Sequence, residues 1–327
     1  MPNRDDIIQE IKIAQNELLR QPMDGFARNP TPQQQQEIFR HALITGANNI
    51  RKKYLNMLSD KTGRNVIIYY SGFMKIRDSN ILELTVEDND INGFMSAIHK
   101  LDKTKGLDLV LHTPGGSISA TEAIVTYLKS IFGNDIRTIV PQIALSAGTM
   151  LACCGKEILM GKHSCLGPTD PQFRGVPAHG IIEEFDHAMQ EVLSNERKIL
   201  VWREILSKYH PTFIGECSKA IDLSNELVAN WLAEGMFEEE KQGALKKATQ
   251  LVREHLNNHK ASKTHDRHFG LEKCKSFGLK ILEIESDQEL QELVLSLHHA
   301  TMTSIETMGS IKIIESQQNK PWLVLVG

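Results

Sequence analysis

The sequence predicts an α/β fold with largely parallel strand pairing, preceded by a helical N-terminal extension and followed by a small C-terminal α/β unit. Three observations predict it. Short strand-like apolar runs alternate with helical spacing between Asn65 and Gly161. One of these runs, LDLVLHT (107–113), is apolar almost throughout, as befits a strand buried on both faces. On either side, before position 60 and beyond Pro177, the apolar residues recur at helical intervals.

Taken in order, Ile7, Ile8, Ile11, Ala14 and Leu18 form a helical stripe over residues 5–19. Gly25, Pro30 and Pro32 break the chain, and a second helix is expected from about Gln33 to Leu58, before Gly63. The stripe needs a surface to cover it, so the extension is expected to supply oligomer contacts. NVIIYYS from Asn65 and ILELTV from Ile81 read as strands. Asp88 or Asp90 can cap a helix running through Phe94, Ala97, Ile98 and Leu101. A helix over Ala120–Ile131, the strand RTIVPQIA, the helix SAGTMLACC and the strand EILMG follow LDLVLHT.

Beyond Pro177 the pattern turns helical. One or two helices cover His179–Lys208, and others cover Asp222–Gly235 and Gln242–Leu256. The basic side chains Lys246, Lys247 and Arg253 read as a solvated face. After Lys263 come a helix, the strand LKILEI, another helix and the strand PWLVLV. These elements divide the chain into an extension (1–60), a core (61–240) and a C-terminal unit (241–327).

The composition is that of a globular protein, with 327 residues, 41% hydrophobic and 24% charged. A net charge of -4 argues against nucleic acid as a partner. No apolar run approaches the roughly 18 residues of a membrane span. The opening MPNRDDIIQE lacks the apolar stretch of a secretory leader, so a cytoplasmic location is expected. The five cysteines are odd in number and contain no CxxC, which points to neither a disulfide framework nor a zinc ribbon. Cys153 and Cys154 read as small buried hydrophobes. In His265-Asp266-Arg267-His268 the histidines lack a third partner for a metal, and Asp266 reads as a helix cap. His298 and His299 read as surface residues. Neither a metal nor an organic cofactor is expected.

Two segments carry chemistry. His112-Thr113-Pro114-Gly115-Gly116 ends a buried strand just before a helix. A glycine pair there frees backbone N–H groups to hold an anion, or simply makes a turn. Ala144-Leu145-Ser146-Ala147-Gly148 has a serine flanked by small residues between strand and helix, as in a nucleophile elbow. There Ser146 is either an exposed nucleophile, with the Ala147 N–H aimed at a developing oxyanion, or only a helix N-cap. Successive strand-to-helix crossings would bring both segments to one edge of a parallel sheet, where sites tend to form.

The stretches LVLHTPGGSISATEAIVTYLKS and TIVPQIALSAGTMLACCGKEILMGKHSCLGPTDPQF together resemble the serine dehydrogenase proteinase family, relatives of Clp protease and signal peptide peptidase A. The resemblance covers about residues 60–175 clearly and extends more weakly to about 285. It implies a Clp/crotonase-like core and peptide-bond hydrolysis through an acyl-enzyme. It makes Ser146 the nucleophile and places the oxyanion hole at the Gly115 and Ala147 amides, with Gly116 supporting the turn.

The sequence departs from the Clp pattern at the base. Near Pro168–Asp170, where Clp protease has its histidine, there is none. Kinship to signal peptide peptidase A suggests a Ser/Lys dyad, with Lys198 at the fitting distance, then Lys208, and His163 as the histidine alternative. Asp170 either orients the base or caps a turn. The expected partners are a protein or peptide substrate and further copies of the chain. Any ATP dependence would come from a partner. Two other readings remain. One is a crotonase-type acyl-CoA enzyme, which shares the oxyanion hole without a serine nucleophile. The other is a Clp-like scaffold whose site has decayed.

Overall fold

The computed structural model describes residues 3–20, 30–76, 81–173 and 175–325, so Gly25 and Val326 lie outside the described residues. In chain order the strands are β1 (Asn65–Ser71), β2 (Leu107–His112), β3 (Ile136–Val140), β4 (Ile143–Ala144), β5 (Ile158–Met160), β6 (Cys165–Leu166), β7 (Gln172–Phe173), β8 (Val176–Pro177), β9 (Phe269–Gly270), β10 (Ile281–Glu283), β11 (Ser310–Ser316) and β12 (Trp322–Leu325). The helices are α1 (Arg4–Arg20), α2 (Pro32–Thr62), α3 (Asp90–Ile98), α4 (Ile118–Phe132), α5 (Ala147–Ala152), α6 (Ala178–Ser194), α7 (Ile199–Leu206), α8 (Phe213–Glu234), α9 (Ala244–Leu251), α10 (His259–Ser262), α11 (Leu271–Ser276) and α12 (Gln288–Met308).

A seven-stranded sheet in the order β10-β5-β3-β2-β1-β11-β12 forms the centre. From β10 to β1 the pairing is parallel, and β11 runs antiparallel to both its neighbours. Alternation along β1 sorts its side chains. Ile67 and Tyr69 enter one apolar layer with α3, α4 and α5, while Val66, Ile68 and Tyr70 enter the other with α1, α2 and α12. This is the Clp/crotonase-like α/β class.

Ile7 and Ile11 of the N-terminal stripe are buried within their own chain, against α2 and α12. The stripe therefore finds its cover without a second copy. The C-terminal unit is woven into the core sheet, because β10 extends the edge at β5 and β11 pairs with β1. Those edges would otherwise expose unpaired backbone groups.

The run ILELTV is not a strand. Ile81–Leu84 is a 3-10 turn, and beyond it Val86 makes a single bridge to Gly116. Its carbonyls are taken by side chains instead of a ladder: Ser71 Oγ donates to Leu84 O at 2.6 Å and Lys312 Nζ to Thr85 O at 2.8 Å. RTIVPQIA is split at Pro141, which has no N–H to give. β3 stays in the central sheet, while β4 joins a three-stranded sheet in the order β4-β6-β9. That small sheet positions the site.

Candidate active site

β2 ends at His112 and the chain runs on beside β4. Thr113 N–H donates to Ile143 O at 3.1 Å, and Leu145 N–H donates back to Thr113 O at 3.1 Å. The two chemistry-bearing segments are thereby locked side by side. Val86 grips the glycine loop from the other side, donating to Gly115 O at 2.7 Å and accepting from Ser117 N–H at 2.9 Å. A Cβ on Gly116 would stand 2.3 Å from Val86 N, so only glycine permits this approach.

Leu145 and Gly148 close a tight turn through a 2.7 Å bond from Gly148 N–H to Leu145 O. Within it Ser146 has φ 51° and ψ -118°, a conformation that glycine takes freely and other residues adopt at a cost of about 1–3 kcal/mol. Ser146 sits at the N-cap position of α5, yet its hydroxyl makes no capping hydrogen bond. The plain N-cap reading therefore does not describe this side chain. Gly115, at φ 104°, packs directly on the turn: an added Cβ would lie 2.7 Å from Ser146 Cβ and 3.0 Å from Ala147 N. The Gly115 N–H donates to Thr113 Oγ1 at 3.2 Å.

The small sheet brings in a further pair. β4 and β6 run parallel and β9 runs antiparallel to β6. Ser146 leaves the end of β4, Asp170 lies beyond the same end of β6, and His265 precedes β9 at that end. Asp170 is buried, and its Oδ1 bonds His265 Nδ1 at 2.8 Å. Burial pushes the Asp170 carboxyl up, but the His265 bond and the nearby charges of His265 and His259 outweigh it and hold the group below the ordinary carboxylate value. The backbone of this loop is pinned as well: Thr169 N–H donates to Leu256 O at 2.8 Å and Ser224 Oγ to Thr169 O at 2.8 Å. Asp266 caps no helix, since its segment leads into β9 and α11 begins from Gly270.

The candidate bases expected from the sequence have other surroundings. Lys198 stands between α6 and α7, its ammonium 2.5 Å from Glu191 Oε1 and its side chain 41% exposed. Lys208 is exposed beyond α7. His163 precedes β6 and so stands off the opposite end of the small sheet from Ser146. It lines a cavity of about 430 Å³ with His298, His299 and Arg4. His298 is buried, not superficial, and bonds Tyr70 through Nδ1 at 3.2 Å. Cys153 and Cys154 are free and buried, and burial pushes the Cys154 thiol up to about 12. Among the described residues no His/Cys/Asp/Glu group is arranged to hold a metal ion, and no helix is long and apolar enough to cross a membrane.

A serine on a strained strand-to-helix turn, pressed against a glycine loop, has the local geometry of a nucleophile elbow. Residues 45–321 match the family of ClpP-like SDH-type serine proteinases, and the chain belongs to that family. An uncharacterized protein of Methanocaldococcus jannaschii is 27% identical over 231 residues, 71% of this chain and 70% of the relative. A second uncharacterized protein of that organism is 30% identical over 61% of this chain and 59% of its own length. An ATP-dependent Clp protease proteolytic subunit of Streptococcus sanguinis is 38% identical over 93 residues, 27% of this chain and 47% of the relative.

Proposed function

We propose that this protein hydrolyses peptide bonds through an acyl-enzyme on Ser146, with His265 as general base and Asp170 as the carboxylate that orients it. One observation carries the assignment: the part-buried Asp170–His265 bond lies off the end of the small sheet from which Ser146 also emerges. Asp170 on Nδ1 fixes the imidazole and leaves Nε2 to face a hydroxyl. His265 thus takes the role that the sequence suggested for Lys198, because an exposed ammonium on Glu191 is not the desolvated amine a Ser/Lys dyad needs. With a His–Asp pair present, the empty Clp histidine position no longer argues for a decayed scaffold.

In the reaction, Ser146 Oγ bonds the substrate carbonyl carbon as His265 takes its proton. The carbonyl oxygen, now negative, is held by the Ala147 and Gly115 N–H groups, with Gly116 keeping the loop in place. The 3.2 Å bond from Gly115 to the neutral Thr113 hydroxyl is a weak one that a charged oxygen displaces. The tetrahedral adduct collapses, the C–N bond breaks, and His265 gives its proton to the leaving amine. Water then attacks the acyl-enzyme with His265 again as base, the bond from the carbonyl carbon to Ser146 Oγ breaks, and His265 returns the proton to Oγ as the carboxylic acid leaves. No step calls for a metal or an organic cofactor. We further propose a cytoplasmic homo-oligomer acting on protein or peptide substrates, as the proteolytic-subunit name of the Clp relatives suggests. Any ATP dependence would be a partner's contribution.

The test is fluorophosphonate labelling together with hydrolysis of an unfolded model protein. Labelling and hydrolysis that both vanish in Ser146→Ala are expected. Hydrolysis that persists in folded Ser146→Ala overturns the assignment. A crotonase-type acyl-CoA enzyme would show neither labelling nor hydrolysis in the parent.

A further inference from the structure

Asp170 has a second oxygen, and it faces a second histidine. Oδ2 is buried and takes no hydrogen bond. Nδ1 of His259 stands 3.5 Å from it, and this atom too is buried without a partner. Two buried polar atoms left unmet are unfavourable, and most such atoms in folded proteins are paired. A shift of a few tenths of an ångström would join them. Hydrogen bonds in unliganded sites are commonly long and tighten when the substrate is in place.

The surroundings hold the His259 ring for this contact. His259 opens α10, whose first turn is capped by the Asn258 side chain accepting from Ala261 N–H at 3.0 Å. The ring of His179 stacks on it at 6.3 Å between centroids and 7° between planes. His179 is itself fixed through Nε2 to Asn257 Oδ1 at 3.1 Å, and Asn257 Nδ2 reaches Asn225 Oδ1 of α8 at 2.8 Å. The far nitrogen of His259 looks toward α6, where a Cβ on Gly180 would be 3.8 Å from Nε2. His259 therefore presents Nδ1 to the carboxylate and its other edge to a helix. It is also not part of the small sheet that delivers Ser146 and His265.

We propose that His259 is a positioning residue that donates Nδ1–H to Asp170 Oδ2. The carboxylate is then fixed at both oxygens, by His265 on one and His259 on the other. It no longer rotates, and the imidazole of His265 keeps its aim. This rests on the reading of His265 and Asp170 as base and orienting carboxylate.

The experiment uses full-length His259→Phe, which keeps a stacking ring and removes the donor, and His259→Gln, which restores an N–H donor. Both are made in the parent and in Asp170→Asn, and kcat, KM and the rate of fluorophosphonate labelling are measured. His259→Phe is expected to lower kcat and labelling by roughly 10-fold or more with KM nearly unchanged, and His259→Gln to recover much of that loss. In the Asp170→Asn background neither change should cost more than about twofold, because the residue it acts through is already lost. A parent-like kcat in His259→Phe overturns the proposal, as does an equal loss in the Asp170→Asn background. Should His259→Phe fail to fold, His259→Asn is carried through the same comparison. The underlying reading fails separately, through parent-like activity of His265→Ala and Asp170→Asn. If those two are inactive while the His259 variants are unaffected, the His259 proposal alone is wrong.

Discussion

Asp170 and His265 lie 95 residues apart in the chain and are joined by a 2.8 Å hydrogen bond between Oδ1 and Nδ1. The bond exists because β6 and β9 pair antiparallel, Leu166 opposite Phe269, which returns the chain to the end of the small sheet. Ser146, Asp170 and His265 then follow one another in chain order, with the histidine last.

The strained turn at Ser146 separates chemistry from stability. Ser146→Ala and Ser146→Gly are both expected to lose all hydrolysis. At φ 51° the glycine variant should be the more stable of the two by about 1 kcal/mol, since it has no Cβ to crowd. Urea denaturation of the two variants side by side measures the difference. Equal midpoints would mean that the turn carries no strain.

Gly115→Val is expected to cost roughly 100-fold or more in kcat/KM, the scale of losing an oxyanion donor. A Cβ there would stand 2.6 Å from Leu145 O, so the glycine loop or the serine turn must move. Full activity in a soluble, folded variant would show that the loop is only a turn.

His265→Ala and Asp170→Asn are each expected to lower kcat by roughly 1,000-fold or more, the scale seen when a triad member is removed. Lys198→Ala and His163→Ala should stay within about threefold of the parent. Dead Lys198→Ala with active His265→Ala would restore the Ser/Lys dyad.

Acid should unfold this protein partly through its buried imidazoles. His112 is enclosed by the rings of Tyr70, Phe73 and His298, and burial pushes it down to about 4. An unfolded histidine binds its proton near pH 6.5 and the buried one only near 4, so the unfolded state holds more protons between those values. Stability is then full above about pH 6.5 and falls toward pH 4 by about 1.4 kcal/mol per pH unit for one such group. His112→Phe should flatten the slope of unfolding free energy between pH 6.5 and 4.5. A slope unchanged in that variant would clear His112 of the effect.

What could be read from the sequence was what is local. The periodicity of α1, the apolar run of β2, and the Gly115-Gly116 and Ser146 segments all carry their pattern within a few residues. β11 did not. It is a fully buried strand with Lys312 and Glu315 inside it, and charges there argue against burial. Each is met by a residue far off in the chain, Lys312 by Asp90 at 2.6 Å and Glu315 by Arg51 at 2.7 Å. His265 escaped for the same reason. Beside Asp266 it looks like part of a helix start, and only the β6–β9 register shows Asp170 across from it. His298 resembles a surface residue until α12 is laid over the sheet.

The place of β11 also bears on when the protein matures. Residues 310–316 lie beside β1, and Lys312 reaches back to Thr85 O and Asp90, in the segment whose Val86 holds Gly115. A nascent chain that has not yet brought Ser310 out of the ribosome lacks both the neighbour of β1 and the strut beneath its glycine loop. Stalled chains of increasing length, exposed to a fluorophosphonate, should label only once Ser316 has emerged, and labelling of much shorter chains would refute this. Translation would then act as a safety catch, keeping the proposed hydrolase inactive until residues 310–316 have been made and paired.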